Sequence, residues 1–340
     1  MNWTADYATQ IDTLITRTRA REAALGLRDS TCYSRFFLHP APTAKVILFF
    51  HGFTAVPEQF VPIAQALFQD GYNVLIPLLP GHGQAGDWDR STPPPLPENE
   101  LIYQEFGLNW LEQAASLGDA VVVGGLSGGS TLAAWLALES PQTIDRALLF
   151  APYLSNSKRL LDWFVDRLNV YFEWQSGPDV ATFGYKGFAV PALRVFLEMG
   201  KEVLKRAETN LAAPLLIVSS ENDQAVGIQE HQDLFQSALR FQPRCWYYYF
   251  DRELNVPHNM MTQAEGNPYA DRVIELAKAY LNSDLVWSEV QAVRELVQQG
   301  YEFDQAIARL NLEPRAASNL AAFVSSLQVP SSSAESNRNE

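Results

Sequence analysis

Short apolar runs alternate along this chain with longer segments in which apolar residues recur at helical spacing. The apolar runs are KVILFF (45–50), NVLIPLL (73–79), AVVVGG (120–125), RALLFAPYL (146–154), APLLIVSS (213–220) and CWYYYF (245–250). The helical patterns between them lie at 58–70, 101–116, 129–139, 228–241 and 269–281. Continuous apolar strands separated by helices are typical of a mostly parallel sheet with helices on both faces. The pattern therefore predicts an α/β fold.

The same pattern divides the chain into a core and an insertion. Residues 1–30 predict an N-terminal helix, and residues 31–154 and 212–282 together predict the α/β core. The segment 155–211 has helical spacing and many aromatic residues, and it is far longer than a strand-to-helix connection needs. We therefore expect an inserted helical cap at 155–211.

Two further segments follow the predicted core. Residues 284–328 contain three short helical patterns, which predict a C-terminal helical extension. We expect these helices to pack on the core or to form a dimer contact. The alternative is a three-helix module of the ubiquitin-associated type, which part of the segment, VRELVQQGYEFDQAIARLNL, faintly resembles. Residues 329–340 are polar and rich in serine, which predicts a disordered tail.

A G-x-S-x-G motif follows the apolar run at 120–125. Gly125, Ser127 and Gly129 form it, and a helical pattern begins directly after it. A serine on a sharp strand-to-helix turn presents its hydroxyl clear of the sheet, and the turn requires glycines because strand and helix approach closely there. The motif predicts Ser127 as a nucleophile, with a tight packing turn as the alternative.

A serine nucleophile needs a base, usually a histidine that a carboxylate orients. Where the serine lies on a strand-to-helix turn of this kind, the chain order is Ser, then Asp or Glu, then His. Of the five histidines, His258 lies in a loop after the last apolar run. Asp223 lies just after the run APLLIVSS, and Glu221 is the competing acid. The order and the strand-end positions predict a triad of Ser127, Asp223 and His258.

The remaining requirement is a pair of N–H donors for the oxyanion of a tetrahedral intermediate. One donor is expected from the backbone of Gly128, directly after the nucleophile, and the other from Phe53 in the turn after KVILFF.

The segments HGFTAVPEQF (51–60), GYNVLIPLLPGHG (71–83) and GLSGG (125–129) resemble the α/β-hydrolase superfamily, most closely bacterial carboxylesterases and monoacylglycerol-lipase-like enzymes. The resemblance covers about residues 31–282. It implies an α/β-hydrolase fold and hydrolysis of a carboxylic ester through an acyl-enzyme. One departure is Gly128, where relatives often have a larger residue such as Met or Leu.

No cofactor and no metal are expected. Residues 81–86 formally match the dinucleotide motif G-x-G-x-x-G, but that motif needs a helix to begin there. The prolines of the segment that follows, DWDRSTPPPLPENE, exclude such a helix.

Charge and apolar run length bear on partners and location. The net charge is −14 and no basic run occurs, so no nucleic-acid partner is expected. The longest apolar stretches have about eight residues, whereas a membrane-spanning helix needs about 20. The N-terminus also lacks the pattern of a signal peptide. We expect a cytoplasmic protein with a small-molecule ester substrate, and the oligomeric state stays open.

The pattern and the resemblance together favour a serine hydrolase that cleaves an ester with an apolar acyl or alkyl group. The same triad could serve a thioesterase, an amidase or an acyltransferase, because pocket shape decides between these reactions. A non-catalytic binding protein that acts through its C-terminal helices is a third possibility, since a fold does not determine a function.

Overall fold

A seven-stranded sheet forms the centre of the computed structural model, which describes residues 3–154, 170–174, 181 and 183–327. The strands in these residues are β1 (Arg35–Phe37), β2 (Thr43–Phe50), β3 (Asn73–Ile76), β4 (Gly118–Leu126), β5 (Ile144–Phe150), β6 (Tyr171–Glu173), β7 (Gly187–Ala189), β8 (Leu215–Ser220) and β9 (Trp246–Phe250). The order in the large sheet is β1-β3-β2-β4-β5-β8-β9. Every neighbouring pair is parallel except β1 with β3.

The strands alternate with helices. Those of the described residues are α1 (Trp3–Ala23), α2 (Val61–Gln69), α3 (Glu100–Ala115), α4 (Gly128–Glu139), α5 (Val190–Ala207), α6 (Ile228–Leu239), α7 (Ala270–Leu281), α8 (Trp287–Gln298), α9 (Phe303–Arg309) and α10 (Leu320–Ser326). Helix α1 lies on the core, where the Tyr7 hydroxyl donates to the carbonyl of Leu117 and accepts from Asn73.

The central strands are covered on both faces. Successive side chains of a strand point to opposite faces, yet every residue from Val46 to Phe50 in β2 and from Val121 to Leu126 in β4 is buried. Strands buried in this way are characteristic of parallel sheets in α/β proteins. The predicted α/β architecture, a mostly parallel sheet with helices, is confirmed.

The insertion between β5 and β8 is the segment for which a helical cap was predicted. Its described part contains the antiparallel pair β6–β7 as well as helix α5, which packs on α4. Phe172 and Phe188 face each other across the pair, with their ring centroids 5.5 Å apart. The remaining residues of the predicted cap, 155–169, 175–180 and 182, lie outside the described residues.

The C-terminal helices α8, α9 and α10 pack on the core. Phe323 of α10 is buried against Trp246 and Tyr248 of β9, with ring centroids 4.9 and 5.9 Å away. Arg146 of β5 donates to Asp284 over 2.6 Å at the start of this region. The extension therefore continues the hydrophobic core beyond β9. The tail predicted at 329–340 lies outside the described residues.

Candidate active site

Ser127 lies on a sharp turn between β4 and α4. Its φ of 55° and ψ of −121° belong to a region that non-glycine residues rarely adopt, at a cost of about 1–3 kcal/mol. A Cβ at Gly125 would lie 2.4 Å from the carbonyl carbon of Gly129. One at Gly129 would lie 2.2 Å from the carbonyl oxygen of Phe50. Strand and helix are therefore too close for any side chain at the two outer positions of the motif.

Neighbouring backbone groups hold Ser127 in this strained conformation. Its N–H donates to the carbonyl of Phe150 at the end of β5, over 3.0 Å. Its own carbonyl accepts the N–H of Thr131 at 2.9 Å and that of Tyr153 at 3.3 Å. Such strain persists only where the surroundings fix the backbone, and it is concentrated at functional sites.

Phe196 accounts for the small residue directly after Ser127. A Cβ built on Gly128 would meet three ring carbons of Phe196 at 3.1–3.2 Å. Phe196 belongs to α5 of the insertion and is fully buried. The ring thus occupies the space that a Met or Leu side chain would need at position 128.

Replacing Gly128 with leucine should therefore destabilise the protein by about 1–3 kcal/mol, because the new side chain collides with Phe196. In a Phe196→Ala background the same replacement should cost less, since the truncation opens the space. Urea denaturation of the four proteins of this double-mutant cycle measures the coupling. Equal costs in both backgrounds would show that Phe196 does not restrict position 128.

His258 and Asp223 are hydrogen-bonded to each other in the loops that follow β9 and β8. The His258 Nδ1 to Asp223 Oδ2 distance is 2.7 Å, and the Asp223 side chain is 3% exposed. The other carboxylate oxygen accepts the N–H groups of Ala225 and Val226 at 2.8 and 3.2 Å. With Nδ1–H donated to the carboxylate, Nε2 carries the lone pair that a general base uses.

The pair shifts the pKa of each partner toward the charged form. Burial lowers the pKa of His258, but the charge of Asp223 and its hydrogen bond outweigh burial, so that the pKa is raised above 6.5. Burial alone would raise the pKa of Asp223, yet the His258 charge and hydrogen bond bring it below 3.8. Asp223 therefore remains a carboxylate at neutral pH.

The other four histidines have structural roles. Both ring nitrogens of His51, His82 and His231 make hydrogen bonds within the described residues. Burial lowers the pKa of His82 and of His231 to about 4 and that of His51 well below 6.5, so these rings are neutral. His39 bonds the carbonyl of Phe68 and stacks on its ring.

The competing acid, Glu221, has a different hydrogen-bond partner. It is exposed, and its carboxylate accepts the N–H of Arg252. The acid that the structure brings to His258 is Asp223.

The two expected N–H donors follow adjacent strands. Phe50 of β2 pairs in register with Gly125 of β4, and Phe53 and Gly128 each come three residues later. Gly128 is the first residue of α4, where an N–H has no partner within the helix. Within the described residues, neither the Phe53 N–H nor the Gly128 N–H donates to a protein acceptor.

The turn at residues 51–54 is held on both sides of Phe53. The Gly52 N–H donates to Gln59 Oε1 over 2.8 Å, and the Thr54 N–H donates to His82 Nε2 over 3.1 Å. Thr54 has a φ of 66°, so that this turn, like Ser127, is in a rarely adopted conformation.

The insertion contacts the 51–54 turn at Thr54. The Trp174 indole N–H donates to Thr54 Oγ1 over 2.8 Å, and the Tyr185 N–H donates to the Thr54 carbonyl over 2.8 Å. A Cβ at Gly184 would lie 1.8 Å from that carbonyl oxygen, which explains the glycine. Sequence reasoning missed Gln59 and Trp174, because no local pattern marks their partners.

In comparisons with known proteins, the chain is similar to α/β hydrolases. The family model described as alpha/beta hydrolase fold matches residues 45–197. A thermostable monoacylglycerol lipase of Bacillus sp. (strain H-257) is 36% identical over 96 residues, which are 28% of this chain and 36% of the lipase. A relative from Mycoplasma pneumoniae is 29% identical over 118 residues, 34% of this chain and 40% of the relative. The chain thus spans well under half the length of these curated relatives.

Solved structures show the fold over a longer stretch. A structure of the metagenome-derived lipolytic enzymes LipS and LipT has a TM-score of 0.62 at 16% identity, and covers 74% of this chain and 98% of that one. A monoacylglycerol lipase of Paleococcus ferrophilus has a TM-score of 0.58 at 15% identity, and covers 73% and 97%. The chain has the α/β-hydrolase fold. Within that fold it resembles the monoacylglycerol lipases and esterases, as the sequence motifs predicted.

No helix in the described part of the chain is both long and apolar enough to cross a membrane.

Proposed function

We propose that this protein is a serine hydrolase that cleaves a carboxylic ester through an acyl-enzyme, with Ser127, His258 and Asp223 as its triad. The 2.7 Å hydrogen bond between His258 and Asp223 is the observation that carries the proposal. It joins the loops after β8 and β9, at the same carboxyl edge of the sheet at which β4 ends in Ser127. The similarity to lipases and esterases supports the same reaction class.

The proposed reaction has two halves, formation and hydrolysis of an acyl-enzyme, and the same residues act in both. His258 Nε2 takes the proton of the Ser127 hydroxyl as its oxygen attacks the ester carbonyl, and the imidazolium then protonates the departing alcohol. In the second half water attacks the acyl carbon as His258 Nε2 takes its proton, and the imidazolium then returns a proton to the Ser127 oxygen as the acyl–serine bond breaks and the carboxylic acid leaves. Asp223 orients the ring and stabilises the imidazolium. The N–H groups of Phe53 and Gly128 stabilise the oxyanion.

The residues around the nucleophile favour an apolar substrate. Phe53 packs against Phe188 and Phe196, with ring centroids 5.0 and 5.6 Å away, and Phe196 covers Gly128. Ligand sites are lined mainly by apolar and aromatic side chains with a few placed polar groups. We therefore propose an ester with an apolar acyl or alkyl group.

Hydrolysis of p-nitrophenyl acetate, butyrate, octanoate and palmitate tests this function. We expect turnover, with a higher kcat/KM for an acyl group longer than acetate. A fluorophosphonate probe should label the protein once, at Ser127, and should abolish turnover in proportion to the labelling. Absence of turnover on all four esters, or labelling of another serine, would contradict the proposal.

A further inference from the structure

A second buried carboxylate lies in the loop that carries His258. Glu265 is seven residues beyond His258 and is 3% exposed. One of its oxygens accepts from Gln59 Nε2 at 2.6 Å, and the other accepts from the Thr262 hydroxyl at 2.9 Å. Both donors are neutral groups, and the proposed reaction described above does not use Glu265.

The hydrogen bonds of Glu265 lead to the 51–54 turn. Gln59, which is 1% exposed, accepts the Gly52 N–H on its amide oxygen at 2.8 Å and donates to Glu265 from its amide nitrogen. Gly52 directly precedes Phe53. A continuous hydrogen-bonded chain of buried groups thus connects the expected oxyanion donor at Phe53 with the loop of the expected base.

The same loop is tied down close to His258 itself. The Met260 N–H donates to the His258 carbonyl over 2.9 Å, and the Asn267 side chain donates to the Met260 carbonyl over 2.7 Å. The Glu265 N–H also donates to the Thr262 hydroxyl over 3.1 Å. Hydrogen bonds therefore hold the loop both at His258 and at Glu265.

Glu265 and His258 also act on each other through charge. Burial raises the pKa of Glu265 to about 7, and the hydrogen bonds from Gln59 and Thr262 and the charge of His258 oppose that rise. In return, the charge of Glu265 adds to that of Asp223 in raising the pKa of His258. Among the described residues, His258 is the ionisable group that acts on Glu265.

We infer that Glu265 is a positioning residue of the active site, an inference that rests on the proposed function. It fixes the 51–54 turn relative to the His258 loop through Gln59, and its carboxylate stabilises the imidazolium that His258 forms when it takes the serine proton. Asp223 orients the base directly, whereas Glu265 acts from the opposite end of the loop and couples the base to the oxyanion donor.

Replacing Glu265 with glutamine separates its charge from its hydrogen bonds. The new amide oxygen can accept from Gln59, and the new amide nitrogen can donate to the Thr262 oxygen after the hydroxyl turns. The variant therefore keeps the chain of contacts and loses only the negative charge. Since a buried carboxylate with a raised pKa costs stability as pH rises from 4.5 to about 7, the variant should have a Tm at pH 8 no lower than that of the wild type.

The test is the pH profile of kcat/KM on p-nitrophenyl butyrate for wild type, Glu265→Gln and Glu265→Asp. The acid limb is the part of the profile in which activity rises with pH as His258 loses its proton. In Glu265→Gln this limb should move to lower pH, because His258 loses a charge that raises its pKa. The plateau should fall as well, because the imidazolium that forms as His258 takes the serine proton loses the same stabilising charge. Glu265→Asp retains the charge, so its acid limb should stay near that of the wild type.

A matched control removes another buried carboxylate. Glu22 is 1% exposed and accepts from Ser34 near β1; Glu22→Gln should leave the acid limb in place. An unshifted limb in Glu265→Gln, whether or not the plateau falls, would overturn the inference. If the limb is unshifted in Glu265→Gln but Ser127→Ala loses turnover, only the inference about Glu265 fails and the proposed function stands. Turnover that persists in Ser127→Ala would instead reject the proposed function.

Discussion

Replacing Ser127 with alanine should lower kcat on p-nitrophenyl esters by about 10⁶-fold, the loss measured for the nucleophile of a well-studied serine protease. Such a factor corresponds to about 8 kcal/mol of transition-state stabilisation. The reason is local: without the hydroxyl, no oxygen stands on the turn between β4 and α4 to form the acyl-enzyme. The N–H groups of Phe53 and Gly128 remain, so a small rate above that in water should persist.

Ser130 provides a matched control for this replacement. It lies in the first turn of α4, is fully buried, and its hydroxyl has no hydrogen-bond partner among the described residues. Ser130→Ala should therefore keep full turnover and labelling by the fluorophosphonate. Equal thermal unfolding of Ser127→Ala and wild type would show that the loss is chemical. If Ser127→Ala retained wild-type turnover, another residue would have to be the nucleophile.

The core of the fold could be predicted because its signals are local. Each buried strand is a continuous apolar run and each helix has its own periodicity, so strands such as β2 and β4 are visible without knowledge of their partners. The insertion lacked such signals. Strands β6 and β7 have three residues each, too few for a period, and the residues that pair are not close together in the sequence. Helical spacing therefore dominated the prediction there.

In the site, too, features that depend on neighbouring residues could be predicted, and those that depend on distant residues could not. The turn at Ser127 was predictable because the close approach of β4 and α4 forces glycines at Gly125 and Gly129, within the motif itself. Asp223 and His258 followed from chain order and strand ends. The partners Gln59 and Glu265 are 206 positions apart, and no local pattern joins them. Likewise, the reason for Gly128 lies in Phe196, far along the chain in α5.

Replacing Asp223 with asparagine should lower kcat by about 10⁴-fold, as the corresponding change does in another serine enzyme. The asparagine side chain carries no charge to stabilise the His258 imidazolium, and its amide does not fix the tautomer with a proton on Nδ1. The proposed reaction requires neutral His258, so activity should rise with pH through a pKa that lies above 6.5 in the wild type. Because Asp223 is what raises that pKa against burial, the acid limb should move to lower pH in Asp223→Asn.

Stability should respond to the same replacement in a defined pH range. The pKa of Asp223 is below 3.8 and that of His258 above 6.5, so both partners are charged in the folded state between these values. The stabilisation from Asp223 is lost as pH falls through its lowered pKa, and that from His258 is lost as pH rises through its raised pKa. The decrease in Tm of Asp223→Asn should therefore be largest between about pH 4 and 6.5.

Glu221→Gln is the control that assigns these effects to one acid. Glu221 is exposed and its carboxylate faces the N–H of Arg252, so its removal should leave both turnover and the acid limb unchanged. An acid limb that moves in Glu221→Gln but not in Asp223→Asn would make Glu221 the partner of His258. That result would require the loop after β8 to rearrange when substrate binds, because in this structure the carboxylate of Asp223 already bonds the imidazole and two backbone N–H groups.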